Sequence, residues 1–371
     1  MTDKKLPFYR KEVECPVCGG VTENFVFKTK VVIPREVEPD NYVITYQWID
    51  KGYKKYPPAF YVLWVCKSCG YADFPEYFQV FNKSHTYEFT ILKKAILKDK
   101  KDKKSLIPEI IKCIDLDGDE ISFETSMNIH LLALYCNVKL YPDNDNFEKI
   151  GRLYLRNAWL FRDFKRLGLK DKEYNGYKTY WEYIKSLRNF WTEIPVDEES
   201  NISKAAYFFS SIIMQDFSYE KAVKNIKFIC LSAELFLRLN DFKSAYKIIH
   251  GVVKLGFDMR REINETLQNK RKNSELTRQE ERILFSRSDR ISRELSGIHD
   301  KYREVKDKWI NFYMPQIEEI IKENQWSTPQ VLITKLEEAN IPSEVIYILK
   351  STDSRFRVED EEKPHFWEFW K

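Results

Sequence analysis

Cys15-Pro16-Val17-Cys18-Gly19 is answered 51 residues on by Cys66-Lys67-Ser68-Cys69-Gly70. Two Cys-x-x-Cys knuckles, each closed by glycine, can set four thiolates around one tetrahedral metal ion. Soft sulfur ligands select zinc or iron, and four of them leave no position for water or substrate. The spacing predicts one structural zinc ion held by Cys15, Cys18, Cys66 and Cys69. Iron on the same ligands and a redox-active Cys-x-x-Cys pair are the competing readings. Four thiolates on a divalent ion leave a charge of about −2. N–H groups of the knuckle turns, where Gly19 and Gly70 let backbone approach the sulfurs, with Lys11 or Lys67, are expected to offset it. Zinc binding to such peptides is worth roughly 10–16 kcal/mol, so this part of the chain is expected to unfold without metal.

Around the knuckles the sequence reads as β structure. Asn24–Ile33, Tyr42–Trp48 and Phe60–Val65 are rich in β-branched and aromatic residues. Pro34 and the turn Glu38-Pro39-Asp40 separate the first two, and Lys51–Pro58 has too much Gly and Pro to continue a strand. Each knuckle then sits at a strand edge, the arrangement of a zinc ribbon. Residues 19–65 are a long insertion for such a module, and ligand specificity would reside there.

Residues 83–125 read as a linker with short elements. His85–Leu97 suits a helix, and Lys98–Lys104 is a solvated charge run. Asp115-Leu116-Asp117-Gly118-Asp119 invites a calcium loop, but the sixth position is Glu120 rather than Gly and the twelfth is Ser126 rather than Glu. It reads as a turn.

From Ser126 the period becomes helical. Met127–Leu140, Phe147–Leu167, Lys172–Trp191, Ser203–Gln215, Ser218–Leu239 and Asp241–Leu255 are expected helices, the last closed by Gly256. In the second, Ile150, Leu153, Tyr154, Ala158, Phe161 and Phe164 share a face. Ala233-Glu234-Leu235-Phe236 followed by Asn240-Asp241-Phe242-Lys243-Ser244-Ala245 has the small and large positions of a tetratricopeptide unit, and Ala158-Trp159-Leu160-Phe161 resembles its first half. A plain irregular helix bundle is the alternative.

Beyond residue 257, Arg260–Arg282 reads as a long charged helix. Ile291, Leu295, Ile298, Tyr302, Val305, Trp309 and Phe312 then recur in heptad steps. The seam is expected to meet the preceding helix as a coiled-coil-like antiparallel hairpin, or else another chain. Met314-Pro315 should end it, leaving Gln316–Asn324 as a short helix. Thr328-Pro329 should open Gln330–Ala339, and Ser343–Leu349 should form a last turn or two. Phe366, Trp367, Phe369 and Trp370 make an aromatic tail that has to dock on the chain's own helices or in a partner groove.

The expected fold class is α+β, mainly α. A zinc-ribbon-like domain (1–82) and a linker (83–125) lead to a tetratricopeptide-like array (126–256). The long charged helices with the seam (257–313) and the short helices with the aromatic tail (314–371) follow. Composition is that of a globular chain of 371 residues, 43% apolar and 32% charged. The net charge of +4 disfavours nucleic acid as a partner. No leader-like apolar stretch opens the sequence and no run of about 18 apolar residues interrupts it, so a reducing cytoplasmic setting is expected, peripheral at most to a membrane-associated complex. Thiolate–metal chemistry fits that setting better than disulfides. The remaining cysteines, Cys113, Cys136 and Cys230, are expected core thiols. Signatures of zinc proteases, phosphate loops, dinucleotide folds and serine hydrolases are absent, and the five histidines are dispersed, so no enzyme is expected.

Cys15-Pro16-Val17-Cys18, the string Leu63-Trp64-Val65-Cys66-Lys67-Ser68-Cys69-Gly70-Tyr71-Ala72 and the helix with Asn157-Ala158-Trp159-Leu160-Phe161-Arg162 resemble a bacterial family known as domain of unknown function 2225. The resemblance covers about residues 8–255 and departs at Lys67, where the family often has proline. It implies a bacterial, cytoplasmic protein with a zinc-ribbon and helical-repeat layout, and no particular activity. The reading that follows is a non-enzymatic scaffold or adaptor in a larger bacterial assembly, with an envelope- or motility-associated machine as one candidate. Its partners would be other proteins, met through the helical array, the seam or the tail. The rival is a nucleic-acid-binding regulator using Tyr53, Lys54, Lys55 and Tyr56 to stack bases and meet phosphates.

Overall fold

Three antiparallel hairpins lead the chain in the computed structural model, which describes residues 6–80, 87–102, 104–170, 176–215, 219–273 and 277–357. Strand β1 (Phe8–Glu14) pairs with β2 (Val21–Phe27), β3 (Val32–Val37) with β4 (Val43–Trp48), and β5 (Trp64–Val65) with β6 (Ala72–Asp73). The sequence suggested one strand over Asn24–Ile33. It is two, separated by a turn in which Lys30 takes φ 66°. Pro34, expected to separate two strands, lies inside β3, at a register shift where the ladder tolerates a missing N–H. Phe60 and Tyr61 fall in a short 3₁₀ turn, Pro58–Tyr61, rather than in a strand. Strand β1 was not expected, because nearly all of it is exposed and Arg10-Lys11-Glu12 is an unbroken run of charge.

Phe8 joins the hairpins from within. Its ring stacks on Tyr61 at 4.9 Å and meets Phe25 and Tyr56 edge-on, each at 5.2 Å. Side chains complete the seam between β2 and β5. The Val65 amide donates to Asn24 Oδ1 at 2.8 Å, and Thr22 Oγ1 donates to the Val65 carbonyl at 3.1 Å.

Helices α1 (Pro75–Val80), α2 (Tyr87–Lys101), α3 (Leu106–Ile111), α4 (Phe123–Leu134), α5 (Phe147–Lys170), α6 (Gly176–Ser186), α7 (Glu198–Gln215) and α8 (Tyr219–Arg238) complete a first compact unit, Met1–Leu239. Helix α4 is buried from Thr125 through Leu134 and widens into a π-helical turn, Tyr135–Lys139. Helix α5 packs on α4 and α7, and α7 packs on α8. The six apolar residues assigned to one face of α5 are each 3% exposed or less. Helix α6 ends short of the expected Trp191, in a 3₁₀ turn at Leu187–Asn189. Residues 115–120 form no regular element, and the Asp117 and Gly118 carbonyls accept hydrogen bonds from Arg10.

An ion-pair cluster fastens the tip of the β3–β4 hairpin to the helices. Arg162 of α5 reaches Glu198 Oε1 and Asp40 Oδ2 at 2.7 Å each and Glu38 Oε2 at 3.0 Å, while Arg238 of α8 pairs with Glu38 as well. Asp40 is fully buried, and despite the cost of burial the two arginines hold its carboxyl below the usual carboxylate range.

The second unit, Asn240–Lys371, holds α9 (Phe242–Lys272), α10 (Arg278–Glu323), α11 (Pro329–Glu338) and α12 (Ser343–Thr352). Helix α9 does not stop at Gly256 but runs through it, because the missing side chain lets Leu295 of α10 lie against the backbone. Helix α10 likewise runs through Pro315 to Glu323, so no separate helix Gln316–Asn324 exists. The two pair antiparallel, with Lys270 on Glu280 near the turn and Phe242 on Phe312 (5.0 Å) at the far end. Of the seam, Ile291, Leu295, Ile298, Val305 and Trp309 are 5% exposed or less, so α9 fills it from within the chain. Ala233 and Ala245, read as two small positions of one repeat, are both buried but belong to separate units. The aromatic tail Phe366, Trp367, Phe369 and Trp370 lies outside the described residues.

Candidate metal centre

Each knuckle is the turn of a hairpin. Strand β1 delivers Cys15 and β2 leaves after Gly20; β5 delivers Cys66 and β6 leaves after Tyr71. The turns share one pattern. The Gly19 amide donates to the Cys15 carbonyl at 2.8 Å, and the Gly70 amide to that of Cys66 at 2.7 Å. The Cys15 amide donates to Gly20 and the Cys66 amide to Tyr71. Both turns need a positive φ at the residue after the second cysteine, 75° at Gly19 and 81° at Gly70, which glycine adopts without strain. Gly70 has a second reason. A side chain there would run into Ile107 and Ile111 of α3.

All four cysteines the sequence singled out are brought together. Cys15 Sγ lies 3.6 Å from Cys69 Sγ, Cys18 Sγ lies 3.6 Å from Cys66 Sγ, and all four sulfurs fall within 4.8 Å of one another. A tetrahedral ion with metal–sulfur bonds near 2.3 Å has its sulfurs about 3.8 Å apart, so the cluster fits such an ion. Cys15, Cys66 and Cys69 are 1% exposed or less, whereas Cys18 faces solvent. Four thiolates at this spacing repel one another strongly. In the absence of a cation, hydrogen bonds from Cys15 and Cys69 hold the Cys66 thiol far below its usual range, while hydrogen bonding with Cys15 pushes Cys69 up. A divalent cation supplies the charge that lets all four ionise.

The surroundings differ from expectation in two places. Lys11 lies over the Trp64 ring at 5.5 Å, and Lys67 pairs with Asp117 at 3.3 Å, so both ammonium groups have partners other than the sulfurs. Cys113, expected in the core, is exposed just past the end of α3; Cys136 is buried and Cys230 partly so. Two neighbours of the second knuckle escaped the sequence reading. Cys136, in the π-helical turn, has its thiol 3.5 Å from the Gly70 carbonyl. Lys149 of α5 pairs with Asp73 beyond Tyr71, and nothing in an Asp and a Lys 76 residues apart signals that contact. The loop read as a nucleic-acid platform is differently disposed: Tyr56 is buried under Phe8, and Lys55 lies over Tyr56 and reaches Glu120 at 3.4 Å.

The arrangement defines a mainly helical protein with a few small strand pairs at its N-terminal end and a four-cysteine cluster able to hold a metal ion. The model of a family described as "Uncharacterized protein conserved in bacteria (DUF2225)" matches residues 8–275, and the chain belongs to that family. No curated protein and no solved structure matches it. No helix among the described residues is long and apolar enough to cross a membrane.

Proposed function

We propose that the protein is a non-catalytic adaptor in which a zinc ion on Cys15, Cys18, Cys66 and Cys69 staples the hairpins to the helical core, in the manner of a zinc ribbon. The observation that carries this reading is the make-up of the centre. It is a cysteine-only cluster with three of its sulfurs packed in the core, which leaves an ion no open position for substrate. Such an ion contributes folding energy rather than chemistry. Binding then falls to the helical surfaces. Ile283 and Phe285 on α10 are about half exposed, and Trp326, just after it, is 94% exposed. Contiguous apolar patches rather than single side chains mark protein-docking sites, and the reading places such a contact at these residues.

Two measurements test this. Elemental analysis of freshly purified protein should find roughly one zinc per chain; less than about half an equivalent of zinc contradicts the staple. Affinity purification from the native host, with the full chain, a chain ending at Glu359 and a Trp326→Ser variant, should recover a protein partner that at least one change weakens. If no protein co-purifies with the full chain, the adaptor reading fails.

A further inference from the structure

Helix α5 has a second face, roughly opposite its apolar one. Arg156, Trp159, Asp163 and Arg166 follow at steps of three, four and three, and so project together. Strand β4 and the 3₁₀ turn after it stand over this face, enclosing a cavity of about 720 Å³. That volume is typical of sites for small organic ligands. Its walls are aromatic: Tyr42, Tyr46 and Trp48 from the hairpin, Trp159 from the helix. The hairpin residues come from the insertion between the knuckles.

The charged groups in it are unevenly matched. Helix α5 carries four arginines. Arg152 pairs with Glu76, Arg162 with three carboxylates and Arg166 with Asp163. Arg156 has no carboxylate at ion-pair distance among the described residues; its guanidinium lies 4.7 Å over the Trp159 ring. Burial and the nearby Arg152 charge both act against its ionised form. Arg156 is partly buried, a guanidinium half withdrawn from water without an anion is costly, and its planar fork matches phosphate or carboxylate. Asp163 is organised for a different contact. Tyr42 Oη donates to its Oδ1 at 2.5 Å and Arg166 donates to the same oxygen at 2.8 Å, which leaves Oδ2 to accept from a hydroxyl or amine.

We propose that this cavity binds a planar heteroaromatic anion of mononucleotide size, its ring among Tyr46, Trp48 and Trp159, its phosphate or carboxylate on Arg156. The site is independent of the metal centre and of the adaptor reading.

Tryptophan fluorescence tests it, since Trp48 and Trp159 line the cavity. The probes are the four ribonucleoside 5′-monophosphates, the matching nucleosides, inorganic phosphate, and the heteroaromatic carboxylates nicotinate and quinaldate with their uncharged counterparts nicotinamide and quinoline. At least one molecule carrying both ring and anion should quench saturably below about 1 mM, and its nucleoside or uncharged counterpart should bind at least about tenfold more weakly, the usual effect of losing a charge-assisted hydrogen bond. Arg156→Gln should lose about tenfold or more and Arg156→Lys should recover part of it, with both variants checked for an unchanged thermal transition. Binding by the monophosphates or by the carboxylates decides which anion the site takes. Absence of saturable quenching by any charged probe, equal affinity for nucleoside and nucleotide, or wild-type affinity in a folded Arg156→Gln protein would overturn the proposal.

Discussion

Lys149 Nζ lies 3.0 Å from Asp73 Oδ2 where water does not reach, the two side chains being 4% and 0% exposed. The pair joins α5 to the strand leaving the second knuckle. Tyr71 Oη and the Phe74 amide also donate to Asp73, and Lys149 lies over the Tyr77 ring at 4.3 Å. Removing one member of such a pair leaves a buried charge uncompensated, which typically costs 3–5 kcal/mol, whereas removing both charges costs less. Lys149→Met should therefore destabilise the first unit by about 3–5 kcal/mol, and Asp73→Asn/Lys149→Met should recover a good part of that. Urea unfolding followed by amide exchange in β5, β6 and α5 gives both values. A loss of under about 1 kcal/mol for the single variant would put the pair in the class of surface salt bridges.

Stripping the metal should undo more than the knuckles. Cys15, Cys66 and Cys69 belong to the same buried cluster as Leu106, Ile107 and Ile110 of α3 and Leu131 of α4. A structural zinc contributes roughly 10–16 kcal/mol, comparable to the whole net stability of an ordinary domain. Treatment with a strong chelator, or Cys66→Ser, should abolish exchange protection over β1, β2, β5 and β6 and lower that of α3. Unchanged protection in metal-free protein would show that the hairpins stand without the ion.

The two knuckle glycines should respond unequally to alanine. At Gly19 the nearest atom to an added Cβ is 4.0 Å away, so the penalty is that of positive φ alone, about 1–2 kcal/mol. At Gly70 the same penalty applies and the new methyl must also displace Ile107 and Ile111. Gly70→Ala should cost clearly more than Gly19→Ala in thermal melts of the metal-loaded protein. Equal costs would mean that α3 does not press on the second knuckle.

His130 gives the first unit an acid sensitivity of its own. It is 1% exposed, its Nδ1 bonds the Ser126 carbonyl at 2.8 Å and its Nε2 has no partner among the described residues. Burial lowers its pKa from 6.5 to about 4. Between those values the unfolded chain binds a proton that the folded chain refuses. Stability from this residue is whole above pH 6.5 and drains as pH falls toward 4, by about 3 kcal/mol in all. His130→Leu should flatten the stability profile in that window relative to the wild type. Parallel profiles would sink this assignment.

The sequence made legible what repeats or alternates. The four cysteines announce themselves by spacing, and the sulfurs do converge. The core face of α5 and the seam of α10 follow from periodicity, because burial selects apolar residues at fixed steps. Three kinds of feature were not legible. Strand β1 hides because an edge hairpin exposes nearly all its side chains, which removes the alternation that marks a strand. Gly256 and Pro315 look like helix ends locally, but the packing of α9 on α10 outweighs their propensities. The Arg162 cluster and the Asp73–Lys149 pair join residues 36 to 200 positions apart, and no local pattern encodes such a meeting.

The uneven exposure of the four sulfurs gives the centre a front and a back. Cys15, Cys66 and Cys69 are sealed by the core, so a chelator, an oxidant or an incoming metal can approach only from the side of Cys18. If the cluster holds a metal, its exchange in the folded protein should begin with the release of that one sulfur, without opening of the hairpins. An ion bound there would be held thermodynamically by the whole fold, while the speed at which it came and went would be set at a single residue on the surface.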